Sequence, residues 1–157
     1  MTKVKIGGII QNTCLAEVSM LGIPDRPGTA AAILGALGKA RINVQFIVQC
    51  IDMSNRDHVV FCVHEDDLDA TLRIMDDVKA RIKAESVISR PDIAIVSIFG
   101  PDFRERPAIA GTMFEALAAQ GINILAISTS ISTVSCVIDS GRLADAVAAL
   151  RETFDLP

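Results

Sequence analysis

The chain has 157 residues, of which 50% are hydrophobic and 22% are charged, and its formal net charge is −4. It has neither Trp nor Tyr to stack on bases and no stripe of Lys and Arg, which argues against nucleic acid as a partner. It contains no run of about 18 apolar residues and no signal-peptide core, so we expect no membrane association and a cytoplasmic location.

The first half of the chain alternates short apolar runs with turn residues. Strand-like patterns cover residues 4–10, 16–22, 42–51, 58–64 and 86–89. Helix-like spacing of apolar residues covers 30–40 and 66–81, and a turn with Pro and Gly at 24–28 leads into the first of these helices. From residue 16 onward the order is βαββαβ, the ferredoxin-like arrangement of an antiparallel sheet with two helices on one face.

The second half of the chain repeats the first. The segment that starts at Leu15 recurs in similar form from Ile93, and Pro27 of the first copy corresponds to Pro107 of the second. The repeat predicts strands at 93–99, 122–127 and 134–138 and helices at 109–120 and 141–154, but no last strand follows. We therefore predict an α+β fold of two ferredoxin-like modules in tandem, residues 14–90 and residues 91–157 plus 1–10, in which the N-terminal strand 4–10 completes the second module.

Two modules of about 75 residues each cannot bury all the apolar side chains of this sequence in their own cores. We therefore expect the modules to pack together and the protein to form a dimer.

The four cysteines are scattered and lie in no metal-ligand spacing with His58 or His64, so we predict buried thiols and no metal site. Phosphate-binding glycine loops and catalytic triads are absent from the sequence, which predicts no cofactor and no catalytic residues in this chain.

The turn at 24–28 is the candidate binding element. A Pro-Gly loop that enters a helix offers free backbone N–H groups to a carboxylate, and Asp25 beside it offers the complementary charge to an ammonium group. Together they suit a free amino acid. The alternative is an ordinary tight turn, because Asp, Pro and Gly are common turn residues.

Residues 22–49, GIPDRPGTAAAILGALGKARINVQFIVQ, closely resemble the first ACT module of aspartate kinase regulatory regions, and residues 122–130, INILAISTS, resemble the matching part of the second module. The resemblance spans almost the whole chain. It implies either the regulatory subunit or a C-terminal fragment of an aspartate kinase, which pairs as a homodimer through its ACT modules and acts on a kinase catalytic domain or subunit. The expected function is feedback control of aspartate phosphorylation by threonine, lysine or both.

The resemblance also implies two effector sites. In the first, Asp25 would hold the effector's ammonium, backbone groups at Gly28, Thr29 and Ala30 its carboxylate, and Gln49 its polar side chain. Asn123 and Ile124 would close this site from the opposite module. The second, pseudo-symmetric site would use the residues Asn43, Val44, Ala108, Ala110, Thr129 and Ser130.

The second loop departs from the family pattern. Ala108 stands where the family has Gly, and Ile131 stands where it usually has Glu after Ser130. Without that carboxylate a buried lysine ammonium would lack a partner, which argues against lysine in the second site. Two other functions are compatible with the sequence: a stand-alone amino-acid-sensing ACT protein, and an oligomerisation module without a kinase partner.

Overall fold

The computed structural model describes residues 2–101 and 103–157, which form two compact units. We call Cys14–Asp92 the first unit. The second unit combines the residues up to Thr13 with Ile93–Pro157. Met1, which belongs to the N-terminal range predicted for the second module, lies outside the described residues.

An antiparallel sheet forms one layer of the first unit. Its order is β2-β3-β1-β4, and its strands come from β1 (Gly8–Pro24), β2 (Phe46–Ile51), β3 (Arg56–His64) and the start of β4 (Ser86–Phe99). β3 pairs with both β1 and β2, and the backbone N–H of Glu85 donates to the carbonyl of Leu21 at 2.9 Å where β4 begins. The other layer consists of α1 (Thr29–Lys39) and α2 (Leu68–Ile82).

The core of the first unit lies between these layers. Alternate residues of the strands face the helices, as the period of two along a strand requires. The helices contribute one apolar stripe each. The buried side chains that meet there include Val18, Met20, Ile33, Leu37, Val59, Phe61, Val63, Met75 and Val78.

The second unit has the same architecture. Its strand order is β1-β4-β6-β5, with β5 at Ala126–Thr129 and β6 at Thr133–Asp139, and its helices are α3 (Ile109–Ala119) and α4 (Leu143–Thr153). The N-terminal segment supplies the strand that the repeat lacks: the N–H of Gly7 donates to the carbonyl of Phe99 at 2.7 Å. Ile6, 4% exposed, is part of the unit's core. The predicted α+β fold of two ferredoxin-like modules is thereby confirmed.

Two strands are longer than predicted. The sequence indicated separate strands at 4–10 and 16–22, whereas the structure has one strand, β1, which begins only at Gly8. The predicted strands 86–89 and 93–99 are likewise one strand, β4. The polar residues between the predicted pieces do not end either strand. Instead, Cys14 (φ 60°) and Asp92 (φ 56°) take up the left-handed conformation within them, at the boundaries between the units.

The second helix of each unit, α2 or α4, starts later than predicted. The chain first makes a short 3₁₀ turn, at Glu65–Asp67 in the first unit and at Ser140–Arg142 in the second. His64 and Asp139 cap these turns by accepting from the backbone N–H groups of Asp66 and Gly141, at 3.1 and 2.8 Å. No helix in the described residues is long and apolar enough to cross a membrane.

Candidate functional site

The turn between β1 and α1 presents the N-terminus of a helix. Gly28 precedes α1 with φ 103°, a left-handed conformation that favours glycine, and it has no side chain to cap the helix. The first backbone N–H groups of a helix, here those of Thr29 and Ala30, have no partner within the helix. The Thr29 side chain is buried, and its hydroxyl donates to the Arg26 carbonyl at 3.2 Å. This helix end is therefore suited to a carboxylate.

Two carboxyl groups and one amide lie beside that turn. Asp25 is exposed, and its backbone N–H donates to the carbonyl of Asn55 at 3.2 Å, which fixes the turn against the start of β3. Asp57, on β3, is only 1% exposed, and its carboxyl group lies against that of Asp25. Gln49, on β2, donates from Nε2 to Oδ2 of Asp57 at 3.3 Å. The three side chains form an acidic cluster, which we call the Asp25–Asp57–Gln49 cluster.

The charge of Asp57 is poorly compensated. Its Oδ1 atom is buried and accepts no hydrogen bond from the described part of the chain. Burial is the main cause that raises the pKa of Asp57, and the adjacent Asp25 carboxyl raises this pKa further. Gln49 and His58 act in the opposite direction and lower the pKa of Asp57. The cluster is thus a place where a positive charge would be favourable.

The hairpin between β2 and β3 holds this region in place. Asp52 accepts from the backbone N–H groups of Ser54 and Arg56 at 2.8 and 3.1 Å, and its other oxygen lies 2.8 Å from Nε2 of His58. These bonds lower the pKa of Asp52, with the His58 contact as the largest cause. Because Nδ1 of His58 accepts from the N–H of Gly22 at 3.2 Å, the proton of the neutral imidazole belongs on Nε2. His58 thus joins β1 to the hairpin.

The residues predicted for the first effector site fall into two groups. Asp25, Gly28, Thr29 and Ala30 lie together on the turn and the first residues of α1. Gln49 reaches the same region by its hydrogen bond to Asp57, which in turn lies against Asp25. The two remaining predicted residues, Asn123 and Ile124, belong to the second unit, in the loop between α3 and β5.

The residues predicted for the second site are also divided between the units. Asn43 and Val44 lie in the first unit between α1 and β2. The others lie in the second unit: Ala108 and Ala110 at the start of α3, Thr129 at the end of β5, and Ser130 directly after it.

The second unit does not reproduce the cluster of the first. Ala108, before α3, has φ −81°, unlike the left-handed Gly28. The N–H of Ile109 already donates to the carbonyl of Arg106 at 3.1 Å, so this helix end has one free donor fewer. Thr129 pairs with Val134 as Gln49 pairs with Val59, so Thr129 stands in the place of Gln49.

The same strand pairing shows which residue replaces Asp57. Asp57 lies two residues before Val59, and in the second unit Ser132 lies two residues before Val134. The acidic residue at the turn, two positions before Pro27, is matched by Glu105, two positions before Pro107. The position of the buried carboxyl group therefore carries a neutral hydroxyl in the second unit.

Asp57 was missed in the sequence because it follows Ser54, Asn55 and Arg56 and looks like the end of a polar turn. The signal that could have revealed it is the strand period. Asp57 lies two and four residues before Val59 and Phe61, which face the core. Residues at that spacing share one face of a strand, so an acidic residue at position 57 is predicted to be buried. A buried carboxyl group without a counter-charge is a candidate for function.

Other features of the first unit do not overlap with this cluster. An open groove of about 510 Å³ lies near Ala36, Arg73, Asp77 and Arg81, on the helix layer, and none of the predicted site residues lines it. Among the described residues, no group of three His, Cys, Asp or Glu side chains is placed to hold a metal ion.

Comparison with known proteins identifies both units. The ACT domain matches residues 17–83 in the first unit and residues 96–154 in the second. An aspartate kinase of Pseudomonas fluorescens is 42% identical over 151 residues, which is 96% of this chain and 37% of the relative. The chain thus spans little more than a third of the curated relatives that it matches.

Solved structures resemble the chain over nearly its full length. The ligand-free regulatory subunit of aspartate kinase from Thermus thermophilus is 33% identical with a TM-score of 0.87, covering 96% of this chain and 99% of that one. A chain in the structure of the aspartokinase alpha and beta subunits is 33% identical with a TM-score of 0.86, covering 94% of this chain and 97% of that one.

Proposed function

Because the chain belongs to the family of tandem ACT-domain regulatory regions of aspartate kinases, we propose that it binds a free amino acid in its first unit and thereby controls an aspartate kinase. The effectors are threonine, lysine or both. The observation that carries the proposal is the proximity of an uncapped helix N-terminus to the Asp25–Asp57–Gln49 cluster.

This arrangement matches the charges of an amino acid. The helix N-terminus carries a partial positive charge and free N–H donors, which favour the α-carboxylate. Asp25, three residues earlier in the chain, favours the α-ammonium. Gln49 offers an amide to a polar side chain of the effector. Asn123 and Ile124 are proposed to complete the site from the opposite module of a partner chain.

The second site, with Ala108 and Thr129, is proposed as the weaker of the two. Its helix begins without a left-handed glycine, and Ser132 replaces the buried acid. An effector there would find fewer free donors and less negative charge.

A homodimer is the proposed assembly. β2 and β5 each end the strand order of their unit and carry exposed isoleucines, Ile47 and Ile51 on β2 and Ile127 on β5. Apolar edge strands of this kind favour association with another chain. An effector that binds between two chains would favour one dimer geometry by its differential affinity, and a kinase catalytic domain or subunit would respond to that geometry.

Isothermal titration of the chain with threonine and, separately, with lysine tests the proposal, with sedimentation to follow the dimer fraction. Binding of either amino acid together with tighter dimerisation is the expected result. If neither amino acid binds, the proposed effectors are wrong, and an assembly role without a ligand becomes the better explanation.

A further inference from the structure

The burial of the Asp57 carboxyl group is unfavourable for the stability of the folded chain. A buried carboxyl group normally has hydrogen-bond partners or a counter-charge, because its charged form is otherwise strongly destabilised. Asp57 is 1% exposed, yet its Oδ1 accepts no hydrogen bond within the described residues, and the carboxyl group of Asp25 lies against it.

The fold itself does not need this acid. At the corresponding position of the second unit, the exposed Ser132 directly precedes β6, and that unit forms an antiparallel sheet with the corresponding order of strands. The residue that orients Asp57, Gln49, is likewise replaced there by Thr129. At these corresponding positions of the described chain, the acid and its amide partner therefore occur together in the first unit alone, the unit in which the left-handed Gly28 precedes α1.

We propose that Asp57 is a positioning residue of the effector site. It holds the Gln49 amide by a hydrogen bond and adds a second negative charge next to Asp25. The site therefore selects a ligand with an ammonium group. This inference rests on the proposed function. Asp57 is too deeply buried to be the first contact of a ligand, and Asp25 is exposed. An ammonium group bound to Asp25 would offset the repulsion between the two carboxyl groups, which lie in a partly desolvated place where charges interact more strongly than in water.

The other charged and polar groups around Asp57 compensate its charge only in part. His58, the next residue on β3, is already engaged, because its Nδ1 accepts from the N–H of Gly22 and its Nε2 lies 2.8 Å from Oδ2 of Asp52. Arg56, the preceding residue, points its guanidinium to Glu85 at 3.4 Å and to the carbonyl of Gly22 at 3.3 Å. Gln49 supplies one hydrogen bond but no charge. A cation from outside the first unit is what the cluster lacks.

The test compares ligands with and without the α-ammonium group, the group that Asp25 is proposed to hold. The wild-type chain is titrated with threonine and with its 2-hydroxy analogue, 2,3-dihydroxybutanoate, and in parallel with lysine and 6-amino-2-hydroxyhexanoate. The same titrations are made on Asp57→Asn, which keeps an acceptor for Gln49 and removes the charge. Asp77→Asn, on the exposed surface of α2, is the control for net charge.

We expect Asp57→Asn to bind the amino acid about tenfold more weakly or worse, while its affinity for the hydroxy analogue changes much less. Its preference for the ammonium group should fall accordingly, and Asp77→Asn should behave as the wild type does. If Asp57→Asn does not fold, Asp57→Ser replaces it, because serine occupies the same position in the second unit.

Two results would overturn the inference. One is an Asp57→Asn chain that binds the amino acid and discriminates against the hydroxy analogue as the wild type does. The other is equal weakening for both ligands together with a lower unfolding temperature, which would mean that Asp57 has a structural role only. If the wild type itself binds no amino acid, it is the proposed function that fails, and the two failures are therefore distinguishable.

Discussion

Gln49 and Asp57 lie on neighbouring strands and are joined by a hydrogen bond of 3.3 Å from Nε2 to Oδ2. They are not direct partners in the ladder, because Gln49 pairs with Val59 and Asp57 pairs with Ile51. The bond is a diagonal cross-strand contact, within reach of a long side chain such as glutamine. It connects an exposed strand at the end of the sheet order to a buried acid.

Asp25→Ala should weaken binding of the effector. It removes the exposed carboxylate assigned to the ammonium group, a charge-assisted contact worth about 1.5–3 kcal/mol, so the dissociation constant should rise more than about tenfold. Because Asp25 is exposed, the unfolding temperature should hardly change. Calorimetric titration with threonine and lysine gives the affinity, and Asp77→Ala is the control. An unchanged affinity would show that Asp25 does not hold the ammonium group.

Asp57→Asn should change how stability depends on pH. The pKa of Asp57 in the folded chain is raised above its usual value of 3.8, so the folded chain holds this proton more tightly than the unfolded chain does. This tighter proton binding contributes to the free energy of unfolding. The contribution is fully present below pH 3.8 and is lost as the pH rises through the raised pKa of Asp57 in the folded chain. The wild type should therefore lose stability relative to Asp57→Asn between pH 3 and pH 7.

Urea unfolding at a series of pH values measures that difference. Asp52 titrates in the opposite sense, because its pKa is lowered, but it is present in both chains and its effect cancels in the comparison. A difference between wild type and variant that is constant with pH would mean that Asp57 is not repelled or desolvated as the structure indicates.

Ile6→Ala should destabilise the second unit. Ile6 is 4% exposed and belongs to the core with Val96 and Ile98, so its truncation should cost about 2–5 kcal/mol. Ile10, in the same segment, is 48% exposed, and Ile10→Ala should change stability by less than about 0.5 kcal/mol. Denaturant unfolding followed by hydrogen exchange locates the loss. Equal effects of the two changes would contradict the placement of the N-terminal segment.

The cysteines should react in two classes. The prediction of buried thiols is wrong for Cys14 and Cys50, which are exposed. Cys62 and Cys136 are buried, and burial raises the pKa of each to about 12. Only the thiolate reacts readily, so iodoacetamide at pH 8 should label the first two in the folded chain and all four in denaturant. Mass spectrometry of the labelled peptides identifies the sites. Rapid labelling of Cys62 in the folded chain would contradict its burial.

The sequence predicted the architecture because the repeat and the apolar periods agree with each other. Strand alternation around Val18 and Val59 and the helical stripe of Ile33 and Leu37 are satisfied by one packing only, so local pattern and global fold coincide. Strand ends were less predictable. Cys14 and Asp92 carry the chain through polar stretches in a left-handed conformation, which cysteine does not signal and aspartate signals only weakly.

The candidate site was predicted in part. The turn at Asp25 and Gly28 was visible from its residue types, and the resemblance to a family added Gln49. Asp57 was not recognised, because its burial depends on the register of β3 against β1 and β2. Such a register brings together residues that are far apart in the sequence, and turn composition alone does not reveal it.

The origin of the second unit's fourth strand has a consequence for how the chain is made. The residues before Cys14 leave the ribosome ahead of β4, α3 and α4, which belong to the same unit and are synthesised after Cys14–Asp92 begins. Cys14–Asp92 has its strands and helices in one stretch and can fold while synthesis continues. The residues before Cys14 remain unpaired until the intervening loop of about eighty residues closes, and such long-range closure is slow. The first unit is therefore expected to form before the second in every round of translation.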